Sequence, residues 1–343
     1  MSNSSYLINA ETRRQIMIQR LSGGVYRRLS PVLNEMRREL IAKLRNSPSD
    51  FQAIRMQRLL IEIDDIIKGR LDEFTGQMRI EMDEFLLAET TFQAKLLNKA
   101  ITVDVVVPTT EQIRAAVDNS ALTLVSGQQV KRMTVPALVR EFSEAQSKAV
   151  RNAISAAVIS GSTVDEAARV VSSLVGNRTR AQARTLVRTS FNHAGSVARS
   201  ATYEQNQDVL EGERYVSTLD DRVRASHAAL DGNVYPLGQG VMTPNGYNCR
   251  CVRVPVVKEE FRIKGLDGER PAIGDDGREV VSGKMTYSGF LKQQSHEFQD
   301  EVLGPERAKL FRSGKLPLSK FVDDEGRLLT LEELNGLTDL VLG

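Results

Sequence analysis

From Val25 the apolar residues fall at Val25, Leu29, Val32, Met36, Leu40 and Leu44, steps of three and four that draw one stripe along a helix. Pro48 is expected to break that helix. A second helical run follows from Phe51 to about Leu97, with Ile54, Ile63, Ile67, Leu71, Phe74, Met78 and Phe85 on one face and charged residues opposite. The two make a long antiparallel pair. Gly69 and Gly76 weaken the second member, since each costs about 1 kcal/mol relative to Ala inside a helix. Thr102 to Val107 is a β-branched run closed by Pro108 and reads as a strand or an extended crossing segment. Helical character then resumes.

Val135 to Ser160 predicts a helix, with Gly161 as its left-handed stop. Thr163, Val164, Asp165 and Glu166 form a capping box that opens the next helix, which runs to about Val175. A third segment, Thr179 to about Gln205, turns Ala183, Leu186, Val187, Ser190, Ala194 and Val197 inward. The period changes to two near Tyr215 to Leu219 and again over Asn248 to Val257. In the latter, Val252, Val254 and Val256 face one way and Cys249, Cys251 and Arg253 the other. Asp231-Gly232 and Pro244-Asn245-Gly246 are turn signals between them. These elements predict a small β module whose second strand carries both sulfurs on one face. Glu259 to Ser282 has little period and reads as a loop or a small β excursion. Short helices follow over Thr286 to Leu303 and Pro305 to Arg312, stopped by Gly304 and Gly314, and a capping box at Thr330 to Glu333 opens a terminal helix.

The resulting fold class is α+β, predominantly α-helical: long N-terminal helices, a central helical bundle with a small β module, and a short helical C-terminal lobe. The expected divisions are a helical region 1–130, a central domain 131–257 and an accessory lobe 258–343. Helical stripes without an internal partner would make 1–130 a docking region. The accessory lobe would be dispensable for the fold, with its connection between Glu259 and Gly283 exposed.

Charge alternates along the chain. Residues 1–45 carry nine Lys/Arg against three Asp/Glu and residues 131–200 carry eleven against four, whereas residues 46–130 carry eight against thirteen and residues 258–343 thirteen against seventeen. Such blocks suit contact with nucleic acid or docking between complementary surfaces. Arg13, Arg14, Arg27, Arg28, Arg184 and Arg199 are the candidate contacts to DNA or a partner; a solvated or salt-bridged face is the plainer reading. There is no run of about 18 apolar residues and no signal-peptide core near Met1, so a cytoplasm-like compartment and no membrane partner are expected.

The rarest residues gather between Val216 and Val257, which holds both cysteines of the chain, one of its three histidines, His227, and Asp220, Asp221 and Asp231. Cysteines two positions apart close almost no loop as a disulfide, so thiols or metal ligands are the better readings. His227, Cys249 and Cys251 could hold zinc, yet no fourth ligand stands out. Alternatively the cysteines are small buried hydrophobes and His227 bonds a carboxylate such as Asp220. A cysteine, histidine and aspartate can also make a nucleophile, base and orienter. No glycine-rich nucleophile elbow, phosphate-binding loop or metalloprotease helix motif accompanies them, so no catalytic residue is assigned and a non-enzyme is expected.

Thr218-Leu219-Asp220, Arg222, His227, Leu230-Asp231-Gly232, Pro244-Asn245-Gly246 and Asn248-Cys249-Arg250-Cys251, taken in order, resemble the signature of the Mu F-like phage head morphogenesis proteins, or minor head proteins. Leu186-Val187-Arg188-Thr189 resembles that family's preceding helix, and Gly161 to Glu166 its helix start. The resemblance covers about residues 135–257, and Gln293 to Leu334 is similar to a tail seen on many such proteins. It marks Asp220, Arg222, Asp231, Gly232, Asn248, Arg188 and Thr189 as structural motif residues. It implies a low-copy virion protein, assembled in the host cytoplasm and found at the portal vertex or head interior. Its implied partners are the portal protein, other head proteins and genomic double-stranded DNA, and its implied roles are head assembly, DNA packaging or genome ejection. Relatives carry further Cys or His where Arg224 and Gly246 stand here, so the resemblance favours no cofactor and a thiol core over zinc. An internal DNA-binding head protein is the alternative function, followed by an enzyme using Cys249 or Cys251.

Overall fold

A computed structural model describes residues 4–47 and 53–342. In chain order the helices are α1 (Ser4–Arg45), α2 (Ala53–Asn98), α3 (Thr110–Asn119), α4 (Val135–Ile159), α5 (Val164–Ser173), α6 (Arg180–Glu204), α7 (Ala225–Leu230), α8 (Tyr287–Leu291), α9 (His296–Leu303), α10 (Pro305–Ser313) and α11 (Leu331–Leu342). The strands are β1 (Leu122–Ser126), β2 (Gln129–Met133), β3 (Leu210–Val216), β4 (Val234–Tyr235), β5 (Val252–Val257), β6 (Glu269–Gly274) and β7 (Gly277–Ser282). Helix dominates, as the periodicity predicts. The expected break at Pro48 lies outside the described residues. No helix among the described residues is long and apolar enough to cross a membrane.

The chain forms two compact units, each assembled from separated segments. Neither coincides with the linear divisions 1–130, 131–257 and 258–343, because α1, α2 and α6 each supply residues to both.

One unit comprises Arg20–Phe85 and Thr134–Phe191. The α1 stripe from Val25 to Leu44 is buried, as are Ile63, Ile67, Leu71, Phe74 and Met78 of α2. Ion pairs Arg28–Glu81, Glu39–Arg70 and Lys43–Glu62 advance on one helix as they retreat on the other, which is the register of an antiparallel pair. Gly69 and Gly76 do not interrupt α2; a Cβ at either would meet nothing within 4 Å, and the buried face around Phe74 offsets the helix cost. Helix α4 stops at Gly161 with φ +67, and Thr163 and Glu166 cap α5 reciprocally. A π-helical turn, Leu174–Thr179, links α5 to α6. It is held by the Thr179 hydroxyl, which donates to buried Gln146 of α4 at 2.8 Å.

The other unit comprises Met1–Gln19, Leu86–Met133 and Asn192–Gly343. Its central sheet has the order β4-β3-β5, all antiparallel, with Tyr215 opposite Arg253 and Val216 opposite Val252. All six residues of β5 are buried. Val252, Val254 and Val257 pack with Leu7 and Ile8 of α1, Leu96 and Leu97 of α2, and Tyr203 of α6. The start of α1 is therefore core, and the expectation that 1–130 offers unpartnered helices fails there. Thr102 to Val107 is extended but pairs with no strand; Asn206 clamps both the amide and the carbonyl of Val106.

Two further expectations change, and that of a small β excursion is met. Strand β5 begins at Val252, so Cys249 and Cys251 lie in the loop before it, and the first strand ends at Val216. The segment read as a loop or small β excursion contains the hairpin β6–β7. Residues after 257 are no separate lobe: Tyr287, Phe290, Phe298, Phe311 and Phe321 share one core with Leu219, Val223, Ala228 and Ala229 of the central module. Helix α3 is where helical character resumes after Pro108, whereas the hairpin β1–β2 was not anticipated.

Candidate functional site

Strand β3 places Tyr215 beneath helix α7, which presents His227; the chain then wanders through turns before returning at Asn248 to start the approach to β5. Gly246 has φ +116, and a Cβ there would meet the Val125 carbonyl at 3.1 Å. Asn248 has φ +56, a left-handed conformation that Asn tolerates better than most side chains. The Asn-Gly-x-Asn run thus provides two backbone reversals that bring Cys249 and Cys251 back under α7.

There the His227 Nδ1 lies 3.2 Å from the Cys251 sulfur and 3.7 Å from the Cys249 sulfur. All three side chains are buried. The Nε2 of His227 lies 2.8 Å from the Asn245 carbonyl. A carbonyl accepts only, so Nε2 carries a proton, and Nδ1 faces the two sulfurs. A hydrogen bond from the Cys251 thiol to the Cys249 sulfur holds Cys249 well below the ordinary thiol range, while burial pushes Cys251 well above it. Tyr215 stands edge-on to His227 with centroids 6.4 Å apart. Its hydroxyl is buried beside the Cys251 sulfur and finds no nitrogen or oxygen partner among the described residues. These three ligand atoms could hold a metal ion; they lie within 4.8 Å of one another.

The surrounding polar groups fix this geometry. The Asn192 amide donates to the Cys249 carbonyl at 2.7 Å, and Gln19 donates to the same oxygen at 3.3 Å. Asn192 accepts in turn from Gln19 and Gln15. Arg250, between the cysteines, is bidentate on Asp220, whose own backbone carbonyl accepts from the Tyr287 hydroxyl. Asp220 is thus engaged by Arg250 and not by His227, so neither the carboxylate partner expected for His227 nor a Cys-His-Asp relay is formed. Asp231 is a buried hub that accepts from the Ser217 amide (2.7 Å) and hydroxyl (3.1 Å), the Arg270 guanidinium (2.6 Å) and the Tyr287 amide (2.7 Å). Gly232 follows with φ +93. Exposed Arg222 is 3.7 Å from Asp220. Arg188 and Thr189 lie on α6 in the other unit and are not part of this cluster.

The arginine set is scattered and mostly committed. Arg199 is buried and pairs with Glu11 at 3.0 Å and Glu89 at 3.6 Å, which removes it from any surface. Arg14 pairs with Glu89 at 2.7 Å and covers Phe92, Arg28 pairs with Glu81, and Arg184 lies over Tyr26. Arg13 bonds Asn9 at the surface, and Arg27 is exposed. Asn192, Tyr215, Arg270 and the Asn245 carbonyl were missed from sequence. Only Asn192 carried a signal, as a polar residue in the small-residue stretch of α6.

This cluster lies inside residues 148–254, which match the family described as Phage Mu protein F like protein. This segment is similar to the Mu F-like family. A relative is the Mu-like prophage FluMu F protein of Haemophilus influenzae, 38% identical over 129 residues that cover 32% of this chain and 31% of that protein. An uncharacterized protein of the same organism is 26% identical over 163 residues, covering 45% of this chain and 32% of its own. The chain thus spans about a third of the length of the curated relatives it matches. No solved structure matches. The Mu F-like segment contains every motif residue named above from Arg188 to Cys251, and leaves α1, α2 and the tail outside.

Proposed function

We propose that this chain is a phage head morphogenesis protein: a structural virion component at the portal vertex that serves head assembly and the passage of DNA, with the portal protein as its partner. The observation that carries this reading is the Mu F-like match over residues 148–254. The site's character agrees with a scaffold. Its motif residues Asp220, Asp231 and Asn248 are spent on internal hydrogen bonds and turns, and its thiols are buried. A DNA-holding role draws less support, because Arg14, Arg28, Arg184 and Arg199 already have intramolecular partners.

The test is co-purification of the full chain with portal rings, alongside its binding to duplex DNA over a salt series. Retention on portal rings at high salt is the expected outcome. Loss from the rings together with steeply salt-dependent DNA binding would transfer the reading to a genome-binding protein, since phosphate contacts release counterions. Mass spectrometry of full and emptied particles should find the chain in both; its absence from purified particles would overturn the structural role.

A further inference from the structure

The geometry points to a soft-metal site of the zinc class formed by His227 Nδ1 and the sulfurs of Cys249 and Cys251, inside the Mu F-like segment. A zinc ion with bonds of about 2.3 Å to sulfur and 2.0–2.1 Å to nitrogen sets tetrahedral edges of roughly 3.4–3.8 Å between its ligands. The two observed nitrogen–sulfur distances, 3.2 and 3.7 Å, lie close to those edges. The second observation is the Asn245 carbonyl. By accepting from Nε2 it fixes the tautomer in which Nδ1 is the free donor, which is how metal-bound histidines are commonly oriented. The third is the buried Tyr215 hydroxyl, which lies against the Cys251 sulfur with no oxygen or nitrogen to bond and can donate to a metal-bound thiolate.

Charge favours the metal as well. Binding a divalent ion displaces the thiol protons to solvent, and two thiolates, one neutral imidazole and the ion sum to zero. A neutral assembly suits a site this buried better than an isolated thiolate does. Arg224 is no ligand; its guanidinium donates to the Tyr247 carbonyl at 2.6 Å. The fourth coordination position is left to a water.

The test uses the full chain, untagged and purified without chelator. Elemental analysis should find close to one zinc per chain, falling at least tenfold in the Cys249→Ser, Cys251→Ser double variant. Because that variant could fail to fold, the wild-type chain carries a second arm. Stripping with a chelator should lower its unfolding temperature, equimolar zinc should restore it, and cobalt in its place should give a thiolate-to-metal charge-transfer band. A wild-type chain that is purified metal-free, takes up neither zinc nor cobalt and unfolds at the same temperature with and without chelator would overturn the proposal. None of these readouts depends on the role in the head.

Discussion

The two units differ in where they place arginine ion pairs. In the helical unit, Arg45 meets Asp165 with side chains 59% and 70% exposed, and Lys43 and Arg28 pair at similarly wet positions. In the unit that carries the Cys/His cluster, Arg199, Arg253 and Arg270 are among the largest fully buried side chains, each against a buried carboxylate: Glu11, Glu213 and Asp231. An exposed pair gains little over water and is screened by salt. A buried pair gains little net either, but losing one member strands the other charge in a low-dielectric interior. The same residue type is thus adjustable at Arg45 and locked at Arg199, Arg253 and Arg270, in a unit that also holds exposed pairs such as Arg132–Glu325. Basic blocks counted along the sequence cannot separate these two fates.

Four measurements can break or sharpen that contrast. The largest effect should come from Asp231→Ala, which leaves Arg270 buried without its carboxylate and strips the Ser217 and Tyr287 amides of their acceptor. Urea denaturation should show a loss of roughly 3–5 kcal/mol. A loss below 1 kcal/mol would mean that the hub is not locked.

Next is a pH effect. Burial lowers His193 to about 4, with its Nε2 bonded to the Ser120 carbonyl. A base depressed in the folded state binds fewer protons than it does unfolded. Its contribution is therefore complete above the unfolded value of about 6.5 and is lost as pH falls toward 4, by about 3 kcal/mol in all. The His193→Gln variant should lose that slope between pH 6.5 and 4 when midpoints are compared across the range.

Smaller effects belong to the helical unit. Thr163→Ala removes the reciprocal cap of α5 and should cost about 1 kcal/mol by denaturant titration. Arg45→Ala should change stability by less than about 1 kcal/mol, and a double-mutant cycle with Asp165→Ala should give a coupling that fades with added salt.

The long helices were legible because a buried stripe repeats every three or four residues over many turns, and the capping boxes at Thr163 and Thr330 mark helix starts within a few adjacent residues. The Cys/His cluster was legible as composition: His227, Cys249 and Cys251 are rare residues set among turn formers. What brings them together was not. Asn192 holding the Cys249 carbonyl and Gln19 bonding Asn192 join positions 57 and 173 residues apart, and no local pattern encodes such a pair. The tail misled for the opposite reason. Its own caps and stops are clear, as at Gly314 with φ +69, but local punctuation does not reveal that Tyr287 and Phe290 finish a core begun at Leu219. The two cysteines were placed on a strand because alternation continues through Asn248 to Val257, although the left-handed Asn248 delays strand pairing until Val252.

The packing of Leu7 and Ile8 against Val252, Val254 and Val257 carries a consequence for the chain while it is being made. Sheet residues that cover the first helix leave the ribosome about 250 codons after it, which at 5–20 residues per second is roughly 10–50 s. During that interval the opening turns of α1 have only part of their native cover, whereas Val25 to Leu44 can already close on α2. The birth order of this protein therefore runs from the helical hairpin outward. Leu7 and Ile8 are sealed late, and a nascent chain stalled before Val252 should present them to chaperones.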